Sequence, residues 1–236
     1  MFAVDVPSIA EAKQIVTELG DSVVFYKLGL EIFMSGGYFE LLAWLRERGK
    51  RIFADLKFFD VPQTVGSAVQ QLRGRGASFV TVHGGNDAIL EAAVAAAVQD
   101  GAPEPLRVLA VTVLTSFDQR DVDAMGIQSN VSDVVLSRAK RAMKAGCGGV
   151  IASGLEVSRL RQECGDNLIL VVPGIRPAAD RPADDQKRTV DVETAFRSGA
   201  DYIVVGRPIK SAPDRRAAAE SIQTTIADVF GRSARL

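Results

Sequence analysis

The chain has 236 residues, 47% of them hydrophobic, with 28 basic against 29 acidic side chains and a formal net charge of −1. Near-neutrality excludes a global field for nucleic acid or an anionic membrane, so any anionic ligand must be held by a local cluster. A single histidine, His83, excludes multi-histidine zinc sites and H-E-x-x-H and leaves acid–base chemistry chiefly to Lys and Asp. Cys147 and Cys164 form neither a C-x-x-C pair nor a disulfide framework, which fits a reducing, cytoplasmic setting. Met1-Phe2-Ala3-Val4-Asp5 lacks the basic and long apolar regions of a signal peptide, and no apolar stretch approaches the roughly 20 residues needed to span a bilayer.

Short β-branched and apolar runs alternate with helical patterns along the whole chain. Strands are predicted at Phe2–Val6, Val23–Leu28, Arg51–Leu56, Phe79–Val82, Arg107–Val113, Gly149–Ala152, Leu168–Val172 and Tyr202–Val205. Their near-continuous apolar character is that of strands covered on both faces. Ser8-x-x-Glu11 reads as a capping box ahead of Ile9, Ala12, Ile15, Val16 and Leu19. Pro62 suits a first helical turn leading into Val65, Ala68, Val69 and Leu72. Val131, Val134, Val135, Ala142 and Met143 share a helical stripe closed by Gly146, Asp191 can cap Val192–Ser198, and Ala217, Ile222 and Ile226 mark the last helix.

Eight strands and eight helices, with no linker and no G-x-G-x-x-G after the first strand, favour a single-domain (β/α)8 TIM barrel over residues 1–236 rather than an open doubly wound sheet. Barrel chemistry sits at the C-terminal ends of strands, and those ends are polar here. They carry Asp5, Lys27, Asp55 with Lys57, His83-Gly84-Gly85, Leu114-Thr115-Ser116, Pro173-Gly174-Ile175-Arg176 and Gly206-Arg207-Pro208. Regular alternation would point Asp55 and Lys57 to one face, and two charges in a doubly covered strand must be paired or used. Gly206-Arg207 after the eighth strand suits phosphate, with backbone N–H groups and a guanidinium gripping the anion. The segment 176–190, with Asp184-Asp185-Gln186-Lys187-Arg188, is long and polar enough for a lid, although a solvated loop fits its composition equally.

The strings FADLKFFDVPQT, KLGLE before it, LTS, PGIRP followed by DDQKR, and VVGRPI stand in this order across the chain. Together they resemble the orotidine 5′-monophosphate decarboxylases, the bacterial branch most closely. The first strand starts almost at Met1, slightly earlier than is usual for the family, but Asp5 is retained. The resemblance implies metal-independent conversion of orotidine 5′-monophosphate to uridine 5′-monophosphate, the last step of de novo pyrimidine nucleotide synthesis, without a cofactor. It implies Lys57 as general acid within a charge network of Lys27, Asp55 and Asp60. Asp5 and Lys27 would contact the ribose, Thr115 and Ser116 the pyrimidine edge, and Gln186 the phosphate and base. Gly206 and Arg207 would hold phosphate, with Arg176 near the phosphate or the hinge of the lid. Asp60 and Thr64 would reach into a partner subunit's site, which implies a homodimer. For His83, ordering the neighbouring loop is the expectation, ahead of direct proton transfer.

Two other readings remain at this stage. A sugar-phosphate decarboxylase on the same barrel, such as a keto-gulonate-phosphate decarboxylase, would stabilise an enediolate with Mg²⁺; Lys27 and the Gln-bearing seventh loop argue against it. A catalytically silent nucleotide-binding protein would gain nothing from like charges buried beside its ligand.

Overall fold

The computed structural model describes residues 1–98, 105–176 and 187–233. Its eight strands are β1 (Phe2–Ala3), β2 (Phe25–Leu28), β3 (Arg51–Phe58), β4 (Ala77–His83), β5 (Arg107–Val111), β6 (Gly149–Ile151), β7 (Ile169–Val172) and β8 (Tyr202–Ile203). All neighbours are parallel and the spatial order equals the chain order. The two edges meet: Phe2 bridges Val205, Ala3 N–H donates to Val205 O at 2.9 Å, and Val205 N–H donates to Met1 O at 2.9 Å. The (β/α)8 barrel read from the sequence is therefore the fold.

The helices follow local signals. Ser8 Oγ accepts from Glu11 N–H at the start of α1 (Ile9–Leu19), and Pro62 opens α4 (Pro62–Leu72). α3 (Tyr38–Glu47) and α5 (Asp87–Ala97) cover β3 and β4, with Asn86 capping α5. Asn130 caps α7 (Val131–Lys144), whose buried stripe is Val134, Val135, Ala139 and Ala142. α8 (Val157–Cys164), α9 (Val192–Arg197), capped by Asp191, and α11 (Arg215–Ser233) complete the ring. Eleven α-helices occur among the described residues, not eight. The extra turns are α2 (Leu30–Met34), α6 (Gln119–Ala124) and α10 (Arg207–Lys210). All three follow strand ends and are too short to show a helical period. The terminal strands are also shorter than predicted, although pairing runs on past their ends: Val4 N–H donates to Lys27 O at 2.9 Å and Val204 N–H to Val172 O at 2.8 Å.

Two apolar shells hold the barrel. The larger lies between sheet and helices; the smaller fills the interior with Phe25, Phe53, Phe79, Leu109 and Val171. Phe79 packs at 5.4 Å from Phe25, 6.1 Å from Phe53 and 5.5 Å from Tyr202, centroid to centroid. Each such pair adds about 0.5–1.5 kcal/mol beyond its buried area. This aromatic layer fills the barrel interior beneath the C-terminal rim, where Phe53 forms part of the floor of the cavity of about 480 Å³.

Candidate active site

Four charges alternate along that rim. Lys27 Nζ lies 3.2 Å from Asp5 Oδ1 and 3.3 Å from Asp55 Oδ2, and Lys57 Nζ lies 2.8 Å from the same Asp55 oxygen. Asp55 is buried, so both ammonium groups meet it in a setting poorly screened by solvent. Gly29 makes room for this: a Cβ there would stand 3.2 Å from Lys27 Nζ and 3.4 Å from Asp5 Oδ1.

Asp55 and Lys57 reach one another by a different route from regular alternation. Ala54 pairs with Val80 and Phe58 with Val82, so four steps along β3 oppose two along β4. This bulge carries Asp55–Lys57, and Lys57 is the only non-glycine residue with positive φ (49°) among the described residues. A lysine held there stores backbone strain of about 1–3 kcal/mol, which its surroundings must offset. Thr81 supplies the hold: its Oγ1 accepts from Lys57 N–H at 2.9 Å and donates to Asp55 Oδ1 at 2.9 Å.

The protonation states follow. Burial, the largest influence on Asp55, pushes its carboxyl up, but Lys27, Lys57 and the Thr81 hydroxyl together hold it below the usual carboxylate range. Burial likewise pulls Lys27 down most strongly, yet Asp55 and Asp5 leave it above an ordinary lysine. Asp55 is thus an anion and Lys27 a cation at neutral pH.

These groups face a cavity of about 480 Å³. Ala3, Phe53, Val111, Ile151 and Val204 provide apolar lining; Thr115, Ser116, Arg176, Gly206 and Arg207 join the charged quartet around it. Five lining residues are cationic (Lys27, Lys57, Arg176, Arg207, Lys210) against three acidic (Asp5, Glu31, Asp55), so the cavity favours an anionic ligand. Among the described residues, no three His, Cys, Asp or Glu side chains converge as metal ligands.

The structure brings Asp5, Lys27, Asp55, Lys57, Thr115, Ser116, Arg176, Gly206 and Arg207 into one cavity. Asp60 and Thr64 do not line it in their own chain; both are exposed, and Asp60 Oδ1 accepts from Val61 N–H at 2.6 Å. His83 lines a separate cavity of about 100 Å³ beside Arg138 and Phe117. Gln186 and the middle of the segment read as a lid lie outside the described residues. The described ends meet, with Ile175 bridging Val190 and Arg176 N–H donating to Val190 O at 3.0 Å. Arg176 itself is buried.

Sequence reasoning missed Thr81, Lys210 and Arg188. Thr81 sits fully buried inside an apolar strand, where a lone hydroxyl was the available signal. Lys210 lies one turn after Arg207, and its Nζ donates to the Asp5 carbonyl. Arg188 was read only as part of a polar segment that suits a lid or a solvated loop, yet it is buried and paired with Glu156 at 2.6 Å.

Comparison with known proteins agrees with this geometry. The family model "Orotidine 5′-phosphate decarboxylase / HUMPS family" matches residues 1–222. The orotidine 5′-phosphate decarboxylase of Methylococcus capsulatus is 57% identical over 230 residues, 98% of this chain and 92% of that one. That of Stenotrophomonas maltophilia is 49% identical over 98% of this chain and 93% of its own length. A crystal structure of the Lactobacillus acidophilus orotidine 5′-phosphate decarboxylase superposes with a TM-score of 0.81 at 36% identity, covering 95% of this chain and 96% of that one. With motif order, barrel and rim charges in agreement, this chain belongs to the orotidine 5′-phosphate decarboxylase / HUMPS family.

Proposed function

We propose that this chain is one catalytic barrel that decarboxylates orotidine 5′-monophosphate to uridine 5′-monophosphate in pyrimidine nucleotide synthesis, without a metal, and that Lys57 protonates C6. The observation that carries this reading is Lys57 Nζ held 2.8 Å from buried Asp55, in the same cavity as Gly206 and Arg207. The names of the close relatives support this substrate over the sugar phosphate of the alternative reading.

In this reading Gly206, Arg207 and Arg176 take the phosphate dianion, Asp5 and Lys27 the ribose hydroxyls, and Thr115 and Ser116 the amide edge of the base. The C6 carboxylate then enters beside Asp55. Cleavage of the bond from C6 to the carboxylate carbon leaves its electron pair on C6 as CO2 departs. A carbanion at an sp² carbon has little resonance relief, so stabilisation must appear as the charge does. The Lys57 ammonium meets that charge and gives its proton to C6. Asp55, fixed in its anionic form, disfavours the ground-state carboxylate more than the departing neutral CO2.

A homodimer is part of the proposal, with Asp60 and Thr64 serving the partner's cavity. Both are exposed at the start of α4, and the flanking Phe59 (69% exposed) and Val61 (62%) give that edge an apolar surface suited to burial. A reducing cytoplasmic setting fits two buried free cysteines, with burial pushing the Cys147 thiol up to about 12. No helix among the described residues is long and apolar enough to cross a membrane.

The deciding experiment is CO2 release from orotidine 5′-monophosphate by protein treated with EDTA. Undiminished turnover is expected. Turnover lost to EDTA and restored by Mg²⁺ would favour a metal-assisted enediolate lyase, and no turnover at all would sink the assignment.

A further inference from the structure

The guanidinium of Arg188 is not part of the charged quartet but touches the wall of the same cavity. Nη1 donates to Glu156 Oε1 at 2.6 Å, while Nη2 donates to Val113 O at 3.2 Å and Leu114 O at 3.1 Å. The backbone joins in: Arg188 N–H donates to Thr115 O at 3.3 Å, and Arg188 O accepts from Ser153 Oγ at 3.2 Å. One residue thus ties the chain after β7 to the ends of β5 and β6. The next two residues after Leu114 are Thr115 and Ser116, which line the cavity. Beyond them, Lys187 pairs with Asp118 at 3.0 Å and Asp121 at 2.8 Å. Consecutive residues 187 and 188 therefore grip this loop on both sides of its cavity-facing pair. Lys187 is exposed and its partners are half-buried, so the firmer grip is that of the buried Arg188.

Stability does not account for the buried pair. Among the described residues, Arg188 Nε and Glu156 Oε2 are buried without a hydrogen-bond partner. Burial pushes the Glu156 carboxyl up, and Arg188 together with Ser153 only partly offsets it. An ion pair of this kind is commonly replaceable by apolar side chains without loss of stability. What apolar side chains cannot supply is a planar fork that reaches a carboxylate and two successive carbonyls together.

We propose that Arg188, held by Glu156, is a positioning residue that sets Thr115 and Ser116 against the base of the nucleotide. The inference rests on the function proposed above and adds a residue that acts on the base subsite alone.

The test uses the double variant Arg188→Met/Glu156→Leu, which removes both buried charges, and Arg188→Lys, which keeps the pairing charge but offers no planar fork. Each is compared with the parent for CO2 release, for uridine 5′-monophosphate affinity, and for affinity toward ribose 5-phosphate, which lacks the base. Both variants should stay folded, melting within several degrees of the parent, and lose about 100-fold in kcat/KM, the scale of an ångström misplacement. Nucleotide affinity should fall while ribose 5-phosphate affinity stays at the parent value. Equal losses for both ligands would reveal general damage and overturn the proposal, as would unchanged kcat/KM. Failure of both variants to fold would assign the pair to stability and overturn it too. A parent without turnover would instead sink the proposed function, so the two failures are separable.

Discussion

Thr81 and Asp55 share a hydrogen bond of 2.9 Å that decides how the carboxylate is used. With Oδ1 occupied by the hydroxyl, Oδ2 is the oxygen that receives Lys57 at 2.8 Å and Lys27 at 3.3 Å. Because the same hydroxyl accepts from the Lys57 backbone, one buried side chain fixes both the bulge of β3 and the orientation of its anion.

Thr81→Val keeps the shape and deletes both bonds. The Lys57 N–H loses its acceptor and Asp55 loses a donor, at a cost of about 1–3 kcal/mol for a buried group left unpaired. A fall in melting temperature of several degrees and at least a tenfold loss of kcat/KM are expected. A valine variant matching the parent in both would remove Thr81 from the site.

The acid limb of stability is assigned to Asp55. Its folded pKa is depressed, so its contribution is fully present above the unfolded value of about 3.9 and is lost as pH falls through the folded pKa. Lys27 works in the opposite sense. Its raised pKa gives stability that is present below about 10.4 and disappears as pH rises through the folded value. Asp55→Asn should therefore be clearly less stable than the parent at pH 7, with the gap narrowing below about pH 4. Denaturant melts at pH 3, 5 and 7 read this directly, and a gap constant with pH would contradict it.

Much of this was legible in the sequence for a physical reason. Strands covered on both faces must be apolar, so the polar residues ending them stood out, and eight of them line the cavity. The bulge at Lys57 was not legible, because its cause is a threonine on the neighbouring strand. Arg188 was hidden in a polar run, where its burial depends on Glu156, which lies 32 residues earlier. Lys210 follows Arg207 by three positions in a helix of four residues, too short for any periodic signal.

Arg207 is assigned to the phosphate rather than to the chemistry. Arg207→Ala should raise KM about 10- to 100-fold, the scale of losing one charge-assisted contact worth about 1.5–3 kcal/mol. The defect should show against ribose 5-phosphate as strongly as against the nucleotide. An Arg207 variant impaired only for the base-bearing ligand would move the phosphate elsewhere.

Lys57→Ala should abolish turnover while retaining much of the affinity for uridine 5′-monophosphate, since Lys27 and Asp55 remain paired. Asp60→Ala should also lose activity if Asp60 serves a partner's cavity. Mixed dimers of the two variants then contain one site with both residues intact, and recover up to about half the parental activity per dimer by subunit symmetry. Verified heterodimers without recovery would refute the shared site.

His83 supplies a different pH signature, at neutral rather than acid pH. Burial, then the charges of Lys57 and Arg138, hold its imidazole below the ordinary histidine value. The ring of Phe59 packs at 5.3 Å and adds no compensating charge. The folded protein therefore keeps His83 neutral while the unfolded chain takes up a proton from about pH 6.5 downward. Unfolding binds protons in that window, so stability falls as pH drops below about 6.5 until the folded pKa is reached. His83→Gln removes the titrating group but keeps a polar side chain. Between pH 7 and pH 5 its melting temperature should fall less steeply than the parent's, while kcat stays close to the parental value. Parallel melting curves would show that the imidazole is not held neutral. A collapse of kcat would instead place it in the proton transfer that its separate cavity argues against.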